Sequence, residues 1–321
     1  TLNRPEVLNA MTLAMYDRMN EMMRSVDEDE EVKVVLIKGN GRAFCAGFDV
    51  GELGYIHGQH EPRRPSQRRR LSVDGNHFWG HQGLYNTIFR CKKATVAQVH
   101  GYCYGAGLEI AAACDITIAA EDTLFTHPGY RYIGPTGWIA YFIELMGVKK
   151  TKEMMLTGIP LDAKEAWRVG LVNKVVPQDK LDEETQKIID AILKMPFDGI
   201  VMGKVHFEAA LDALGVGAGN TIAYILHSLQ TNIRYEPDEF KIEPIPLYGP
   251  PPETLTLIKD LVLSGNLDEA LKLCRDARKA LRKQMMEDLL NKISSGFKEA
   301  EAFWLERDSK ALEIKRLVAS G

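Results

Sequence analysis

A carboxylate at the start of a predicted helix is the side chain in this sequence best placed to move a proton. Glu109 follows the turn Gly105-Ala106-Gly107, which lies between two short apolar stretches, 94–99 and 115–120, that are typical of buried strands. The first amides of a helix have no intrahelical partner and carry the positive end of the helix dipole, so they can hold a developing negative charge. An amide donor at Ala106 beside a carboxylate therefore suits proton transfer next to a carbonyl group, through an enolate.

The same residues also fit a purely structural interpretation. A glutamate in the first turn of a helix is favoured by the dipole alone, and glycines such as Gly105 and Gly107 are needed wherever backbones pack closely. From these residues by themselves, the catalytic and the structural interpretations of Glu109 stay open.

Four ordered stretches of the sequence resemble motifs of the crotonase (enoyl-CoA hydratase/isomerase) superfamily. They are residues 3–10, 43–49, 100–115 and 156–177, which read NRPEVLNA, AFCAGFD, HGYCYGAGLEIAAACD and LTGIPLDAKEAWRVGLVNKVVP. The resemblance extends in order from Thr1 to about residue 240. It implies an α/β fold, a crotonase-like spiral of ββα repeats followed by a helical C-terminal region with an inserted helical segment.

The resemblance also implies how the site works. The amides of Ala46 and Ala106 would both donate to the oxygen of a CoA thioester and stabilise an enolate, while Glu109 would move the proton. No metal and no separate cofactor are expected, because coenzyme A is part of the substrate. The residues that would line the acyl-CoA are Ala46, Gly47, Phe48, Asp49, Gly105, Ala106, Gly129 and Tyr130.

One position departs from the two-carboxylate hydratases of the family. Their second glutamate directly follows a proline, and here that position is Gly129. No Asp or Glu occurs between Thr123 and Ala140. Glu109 would therefore act alone or with a substitute, and the candidates, each of which also fits plain packing, are His127, Tyr130 and Tyr132.

The sequence thus predicts an acyl-CoA-processing enzyme. We expect hydration of a 2-enoyl-CoA first, double-bond isomerisation next, and then decarboxylation or hydrolysis, because one enolate intermediate can lead to each. A non-catalytic protein that binds acyl-CoA or a partner protein is the alternative of a different class, and the retained Glu109 argues against it. Aromatic residues near the motifs suggest a pocket for a cyclic or branched acyl chain; they are Phe48, Trp79, Tyr104, Tyr130 and Tyr132.

Between the second and third motifs, residues 54–80 are rich in Gly, His, Pro and Arg. Arg suits the phosphates of a CoA nucleotide, but a solvated loop and helix face explains the same charge. We expect no metal site at the histidines, because neither matched carboxylates nor an H-E-x-x-H pattern accompanies them. The arginines are Arg63, Arg64, Arg68, Arg69 and Arg70, and the histidines are His57, His60, His77 and His81.

Bulk composition excludes several other classes of protein. A net charge of −4 gives no general attraction to nucleic acid or to an anionic membrane. No apolar run is long enough to cross a bilayer, and no signal-peptide pattern opens the sequence. The five cysteines include no C-x-x-C pair, so we expect reduced thiols in a cytoplasmic protein. Because the chain starts without Met where the family leaves its first strand, we also expect a fragment that lacks this strand.

We expect three parts along the chain. A crotonase core with the acyl-CoA site would cover residues 1–195, a helical trimerisation region 196–240, and a C-terminal helical extension 241–321, in which about 241–294 is an insertion. The resemblance implies a homotrimer or a dimer of trimers. Further helices are predicted over 137–147, 149–156, 179–194, 197–213 and 220–234, with 215–219 as a breaker.

Overall fold

A computed structural model describes residues 1–49, 83–127 and 136–228 continuously, together with single residues elsewhere. The chain divides into two units, residues 1–242 and 243–321, and the fold described below is that of the first. After a 3-10 turn at Pro5–Val7, its elements are α1 Leu13–Glu28, β1 Val34–Lys38, α2 Leu84–Phe89, β2 Ala94–Val99, β3 Tyr102–Tyr104, α3 Ala106–Ala113, β4 Ile116–Ala120, β5 Leu124–Thr126, α4 Ile139–Thr157, β6 Leu161–Asp162, α5 Ala163–Arg168, β7 Lys174–Val176, α6 Leu181–Leu193, α7 Phe197–Ala213 and α8 Val216–Ser228.

Two sheets carry the core of this unit. The first is entirely parallel and runs in the order β1-β2-β4-β7, and every residue of β2 is buried, as expected for a central parallel strand. The second sheet pairs β3 in parallel with β5, which pairs antiparallel with β6. The strand predicted at 94–99 is confirmed at both ends, and the α/β class is confirmed.

The junction between β3 and α3 depends on glycine. Gly105 has a φ of 48°, a left-handed conformation that side chains disfavour, and it directly precedes the first residue of α3. A Cβ on Gly107 would lie 2.5 Å from the carbonyl oxygen of Cys45. These contacts place the turn of 105–107 directly against the 43–49 motif, with which β3 also forms a parallel bridge through Cys45 and Cys103.

Both ends of α3 are held by hydrogen bonds. The amide of Gly105 donates to the Thr126 carbonyl over 3.0 Å. Just beyond the other end, Asp115 accepts from the Thr95 amide over 2.8 Å and forms an ion pair with Lys204 of α7, whose side chain is buried. The helix is therefore fixed to β5 at its start and to β2 and α7 at its end.

The later helices agree with the prediction in one place and differ in another. The element α4 consists of two helices that are divided at Gly147, whose φ of 74° and ψ of 160° are not helical, and this agrees with the separate helices predicted at 137–147 and 149–156. The breaker predicted at 215–219 is confined to Gly215, with a φ of 90°, and α8 begins at the next residue. Gly219 lies within α8 rather than in a breaker. A Cβ there would lie 2.5 Å from the Ala140 side chain, so close packing of α8 on α4 explains the glycine.

Within the described ranges, no single helix is long and apolar enough to cross a membrane. In these ranges, only the helix pair Phe197–Ala213 and Val216–His227, which is bent by 64°, is long and apolar enough when its two helices are taken together.

The four described cysteines, Cys45, Cys91, Cys103 and Cys114, are buried free thiols. The predicted C-terminal extension over 241–321 lies almost wholly outside the described residues, and the three-part division stays a prediction.

Candidate active site

Glu109 lies in the first turn of α3, and its side chain is buried. Only 3% of the residue is exposed, so the carboxylate needs polar partners if it is to stay ionised. The hydroxyl of Thr136 donates to Glu109 Oε1 and in turn accepts from the Trp138 amide over 3.1 Å. The Nε2 atom of His127 lies 3.3 Å from the same Oε1 atom.

His127 is thus the predicted substitute that the structure brings to Glu109. It directly follows β5, and the strand is held there because the Thr126 hydroxyl donates to the Gly158 carbonyl over 3.0 Å. Of the other two candidates, Tyr130 is 38% exposed and Tyr132 lies outside the described residues, as does Gly129.

The predicted site residues Gly47, Gly105 and Ala106 lie close together at the beginning of α3. The amide of Ala106 belongs to the first helical residue, which has no carbonyl one turn earlier to bind within the helix. A Cβ built on Gly105 would lie 3.7 Å from the Gly47 Cα, and one built on Gly47 would lie 4.0 Å from the Ala106 nitrogen. Because Ala106 and Glu109 are three residues apart in a helix, they share one face, and that face meets the 45–48 segment.

The expectation that the Ala46 amide donates to a thioester is wrong in this structure. That amide donates to the Leu8 carbonyl over 3.0 Å. The preceding residue, Cys45, binds β3 through both its amide and its carbonyl, so Ala46 points to the opposite side of this extended segment, away from α3.

The next amide that can face α3 is that of Phe48. The Gly47 carbonyl accepts from the Met11 amide and the Asp49 amide donates to the Met11 carbonyl, each over 2.8 Å. In such a parallel bridge, the residue between the two bonded positions turns its own amide to the other side. Gly47, with a φ of 106°, interrupts the regular alternation of backbone amides between the two sides of the segment. The amide that faces α3 is therefore that of Phe48 rather than that of Ala46.

Asp49 has a partner close by. Its carboxylate lies 3.2 Å from the guanidinium of Arg4, which also donates to the Ala10 carbonyl. Asp49 is 6% exposed, so this buried pair ties the first motif, residues 3–10, to the second. The predicted contact of Asp49 with the CoA stays a prediction.

Four aromatic rings connect the second motif with the surroundings of Glu109. Tyr16 of α1 stacks on Phe48 at 6.0 Å and meets Tyr85 of α2 edge-on at 5.9 Å, and Tyr85 meets Trp138 edge-on at 6.5 Å. Of the predicted aromatic pocket, Tyr104 lies buried in β3 beside Tyr102, while Trp79 lies outside the described residues.

Both tyrosines on this path stay protonated at neutral pH. Burial is the main cause that raises the pKa of Tyr85, and the negative charge of Glu109 adds to it. Burial likewise raises the pKa of Tyr16, although the hydrogen bond from the Leu84 amide to its hydroxyl opposes the shift. Each phenol can therefore donate a proton in a hydrogen bond but cannot act as a base.

Sequence reasoning missed Thr136 and Tyr85. Thr136 lies 27 residues after Glu109 in the chain, in a Gly-Pro-Thr-Gly stretch that reads as a turn, and Tyr85 lies in the apolar helix LYNTIF. Neither position carries a local signal, because each becomes part of the site only through packing around α3.

Among the described residues, no group of three or more His, Cys, Asp or Glu side chains could hold a metal ion. The histidines at 57, 60, 77 and 81 lie outside those residues. Of the clustered arginines, only Arg68 belongs to the described part of the chain.

The arrangement can move one proton beside a stabilised oxyanion. The buried Glu109 carboxylate has two hydrogen-bonding partners on its Oε1 atom. It lies on the same face of α3 as Ala106, whose backbone amide is a free donor within the helix. Two amides aimed at one oxygen, in a site closed to water, contribute about 3–4 kcal/mol each to stabilising a developing oxyanion. Such an arrangement is suited to enolate chemistry on a carbonyl compound.

Comparison with known proteins shows the family to which this chain belongs. The profile of the enoyl-CoA hydratase/isomerase family matches residues 1–232. EchA13 of Mycobacterium tuberculosis, to which the name enoyl-CoA hydratase is assigned provisionally, is 33% identical over 242 residues, which cover 71% of this chain and 75% of that protein. A peroxisomal Delta(3,5)-Delta(2,4)-dienoyl-CoA isomerase of Arabidopsis thaliana is 28% identical over 60% of this chain and 69% of its own length.

Solved structures agree with the sequence comparison. The crystal structure of an enoyl-CoA hydratase from Mycobacterium smegmatis superposes with a TM-score of 0.63 and 26% identity, over 72% of this chain and 80% of that chain. A monofunctional enoyl-CoA isomerase from the same organism gives a TM-score of 0.53 and 27% identity, over 68% of this chain and 90% of its own. The chain belongs to the enoyl-CoA hydratase/isomerase family, within the crotonase superfamily, and it is an acyl-CoA-processing enzyme of that type. The family and the fold predicted from the four motifs are confirmed.

Proposed function

We propose that this enzyme hydrates a 2-enoyl-CoA thioester with Glu109 as its single carboxylate acid and base. The observation that carries the proposal is the buried Glu109 carboxylate, held by His127 and Thr136 and located one helical turn after the Ala106 amide. Such a group is positioned at an oxyanion site and kept away from bulk water, as enolate chemistry requires.

The reaction proceeds in two proton transfers. The thioester oxygen accepts hydrogen bonds from the amides of Ala106 and Phe48. Water gives one proton to Glu109 as its oxygen bonds to C3, and the electron pair of the double bond moves through C2 onto the thioester oxygen. The enolate then collapses as the protonated Glu109 returns the proton to C2, so that one water is added and the carboxylate is restored.

His127 and Thr136 act on Glu109 rather than on the substrate. Each of them contacts Glu109 at Oε1, and we assign Oε2 to the reacting water and C2. A second carboxylate would hold the water in a two-glutamate hydratase, and here Gly129 provides none. We therefore assign His127 the task of orienting the remaining carboxylate.

Double-bond isomerisation is the second candidate, and the single carboxylate favours it. Removal of a proton at one carbon and its return at another needs only one acid and base, whereas hydration also needs a held water. The same enolate can lose CO₂ or be hydrolysed if the acyl group carries a suitable substituent, so decarboxylation and thioester hydrolysis remain outcomes of the test.

Mass spectrometry in H₂¹⁸O separates these reactions. Straight-chain, branched and cyclic 2-enoyl, 3-enoyl and malonyl-type CoA thioesters would each be incubated with the enzyme. Hydration adds one water with ¹⁸O on the acyl chain, whereas isomerisation leaves the mass unchanged and shifts the double bond. Glu109→Gln is expected to lower turnover by about 10²–10⁴-fold with CoA still bound. No turnover of any thioester would favour the non-catalytic alternative.

Two further properties, the cofactor requirement and the cellular location, belong to the proposal. The reaction as written balances without a metal or a cofactor beyond the CoA of the substrate, so dialysis against a chelator should leave the rate unchanged. We place the enzyme in the cytoplasm because its described cysteines are free thiols, which subcellular fractionation would test.

We also propose a homo-oligomer, a trimer or a dimer of trimers. Large apolar side chains of α7 and α8 are exposed in the single chain, with Met202 at 71%, Phe207 at 68% and Ile222 at 59%, and such patches usually mark contacts between proteins. Light scattering coupled to size exclusion would give the number of chains, and a monomer would contradict the proposal.

A further inference from the structure

The hydroxyl of Tyr85 is buried and close enough to the Glu109 carboxylate to interact with it, yet it forms no well-aligned hydrogen bond with the described residues. Tyr85 is 0% exposed, and among the described residues its Oη atom has no hydrogen-bond partner. Buried polar side-chain atoms are hydrogen-bonded in the large majority of cases, so each exception calls for an explanation.

The packing of α2 fixes where this hydroxyl lies. Helix α2 packs against α3, which carries Glu109, and the Tyr85 ring meets the edge of Trp138. The amide of Trp138 donates to the Thr136 hydroxyl, which donates to Glu109. Tyr85 is therefore held on the same side of α3 as the carboxylate, between Tyr16 and Trp138, and the charge of Glu109 acts on its hydroxyl.

The neighbouring tyrosine shows how the protein itself satisfies a hydroxyl in this aromatic row. Tyr16 occupies the same aromatic row, but its hydroxyl accepts from the Leu84 amide over 2.7 Å and so caps the start of α2. A phenylalanine at position 85 would fill the same space without leaving a polar atom unsatisfied. A phenol there makes sense if a small polar molecule contacts both its hydroxyl and the neighbouring carboxylate.

We propose that Tyr85 Oη and Glu109 Oε2 together hold the water that adds to C3 of the substrate. The phenol would donate to the water oxygen while the water donates to the carboxylate. This leaves one lone pair of the water directed at C3. Tyr85 would thus supply the second point of attachment that Gly129 does not provide, and it is a catalytic residue because it contacts the reacting water.

The proton balance is that of the hydration already described. One proton of the water goes to Glu109 and then to C2, the other stays on the new C3 hydroxyl, and the phenol keeps its own proton throughout. Tyr85 acts only as a donor, as its neutral state requires. The inference rests on the proposed hydration, and it predicts that water addition depends on Tyr85 more than proton transfer at C2 does.

Two reactions of one variant test this. Tyr85→Phe should lower kcat for hydration of a 2-enoyl-CoA by about tenfold to a hundredfold, with little change in KM. Exchange of the C2 hydrogen of the matching saturated acyl-CoA in D₂O needs Glu109 and the amide donors but no added water, so it should change by less than about threefold. Tyr141→Phe is the matched control, since Tyr141 also packs edge-on against Trp138 and is not part of the proposed site.

The outcomes distinguish failure of the proposed water site from failure of the proposed hydration reaction. A loss of hydration with C2 exchange retained supports the water site. Equal losses in both reactions would mean that Tyr85 orients Glu109 rather than water, and an unchanged hydration rate would mean that it has no catalytic role; either overturns the inference while hydration itself stands. If the unaltered enzyme hydrates no thioester, the proposed function fails and the water site fails with it.

Discussion

Replacing His127 tests whether the buried pair with Glu109 carries the activity. His127→Ala removes a hydrogen-bonding partner 3.3 Å from a carboxylate that is 3% exposed. A hydrogen bond to a charged group is worth about 1.5–3 kcal/mol, which corresponds to a rate loss of about 10–150-fold if the bond orients Glu109 in the transition state. We expect this loss in kcat, with KM nearly unchanged because the proposed role of His127 is to orient Glu109 rather than to bind the substrate.

A second substitution at this position separates orientation from packing. His127→Gln keeps an N–H donor of similar reach, so it should recover much of the rate that His127→Ala loses. His100→Gln is the matched control, because the His100 ring bonds the Gly41 carbonyl at 2.9 Å and is not part of the site. Steady-state kinetics on the best thioester, with thermal unfolding of each variant, would provide the data. A His127→Ala enzyme with normal kcat, or a His127→Gln enzyme as slow as His127→Ala, would refute the reasoning.

The remaining predictions concern stability. Gly107→Ala places a methyl group 2.5 Å from a backbone carbonyl oxygen and should lower the free energy of unfolding by about 1–3 kcal/mol, as measured by urea denaturation. Gly203→Ala, where the added methyl meets nothing within 4 Å, should instead raise it by about 0.4–1 kcal/mol, and equal effects would contradict the structure. Hydrogen bonds from Arg168 and Lys150 lower the pKa of Glu165 to about 2. Since the folded-state pKa lies below the unfolded one, this group stabilises the fold above about pH 4.5 and loses its contribution as the pH falls toward 2. Glu165→Gln should thus cost about 0.5–1 kcal/mol at pH 7 and almost nothing at pH 2, and a cost independent of pH would point to another cause.

Local patterns were enough to predict the elements that position the site. The strand at 94–99 and the helix at 197–213 agree with the structure at both ends, because each is an uninterrupted pattern bounded by turn residues. The turn before Glu109 was predictable from its glycines: Gly105 has a left-handed φ of 48°, and Gly107 stands where the Cys45 carbonyl leaves no room for a side chain.

The sequence could not show which amide faces the site. The assignment depends on the side to which the chain turns after Gly47, and that is set by hydrogen bonds with Leu8 and Met11, which lie 36–38 residues earlier in the chain. The partners of Glu109 were hidden for the same reason. His127 could be named as a candidate because it follows a strand, but its contact with Glu109, and those of Thr136 and Tyr85, arise only when α2, β5 and the start of α4 close around α3.

The double attachment of α3 has a consequence for how this enzyme can acquire new substrates. Because its start is bonded to Thr126 and Asp115, just beyond its end, is paired with Lys204, we expect that the helix with the proposed oxyanion donor and base does not shift to follow a different acyl chain. Changes of specificity during evolution must therefore arise at positions outside α3. Substitutions that enlarge or reshape the acyl pocket could then accumulate while the reaction chemistry stays the same.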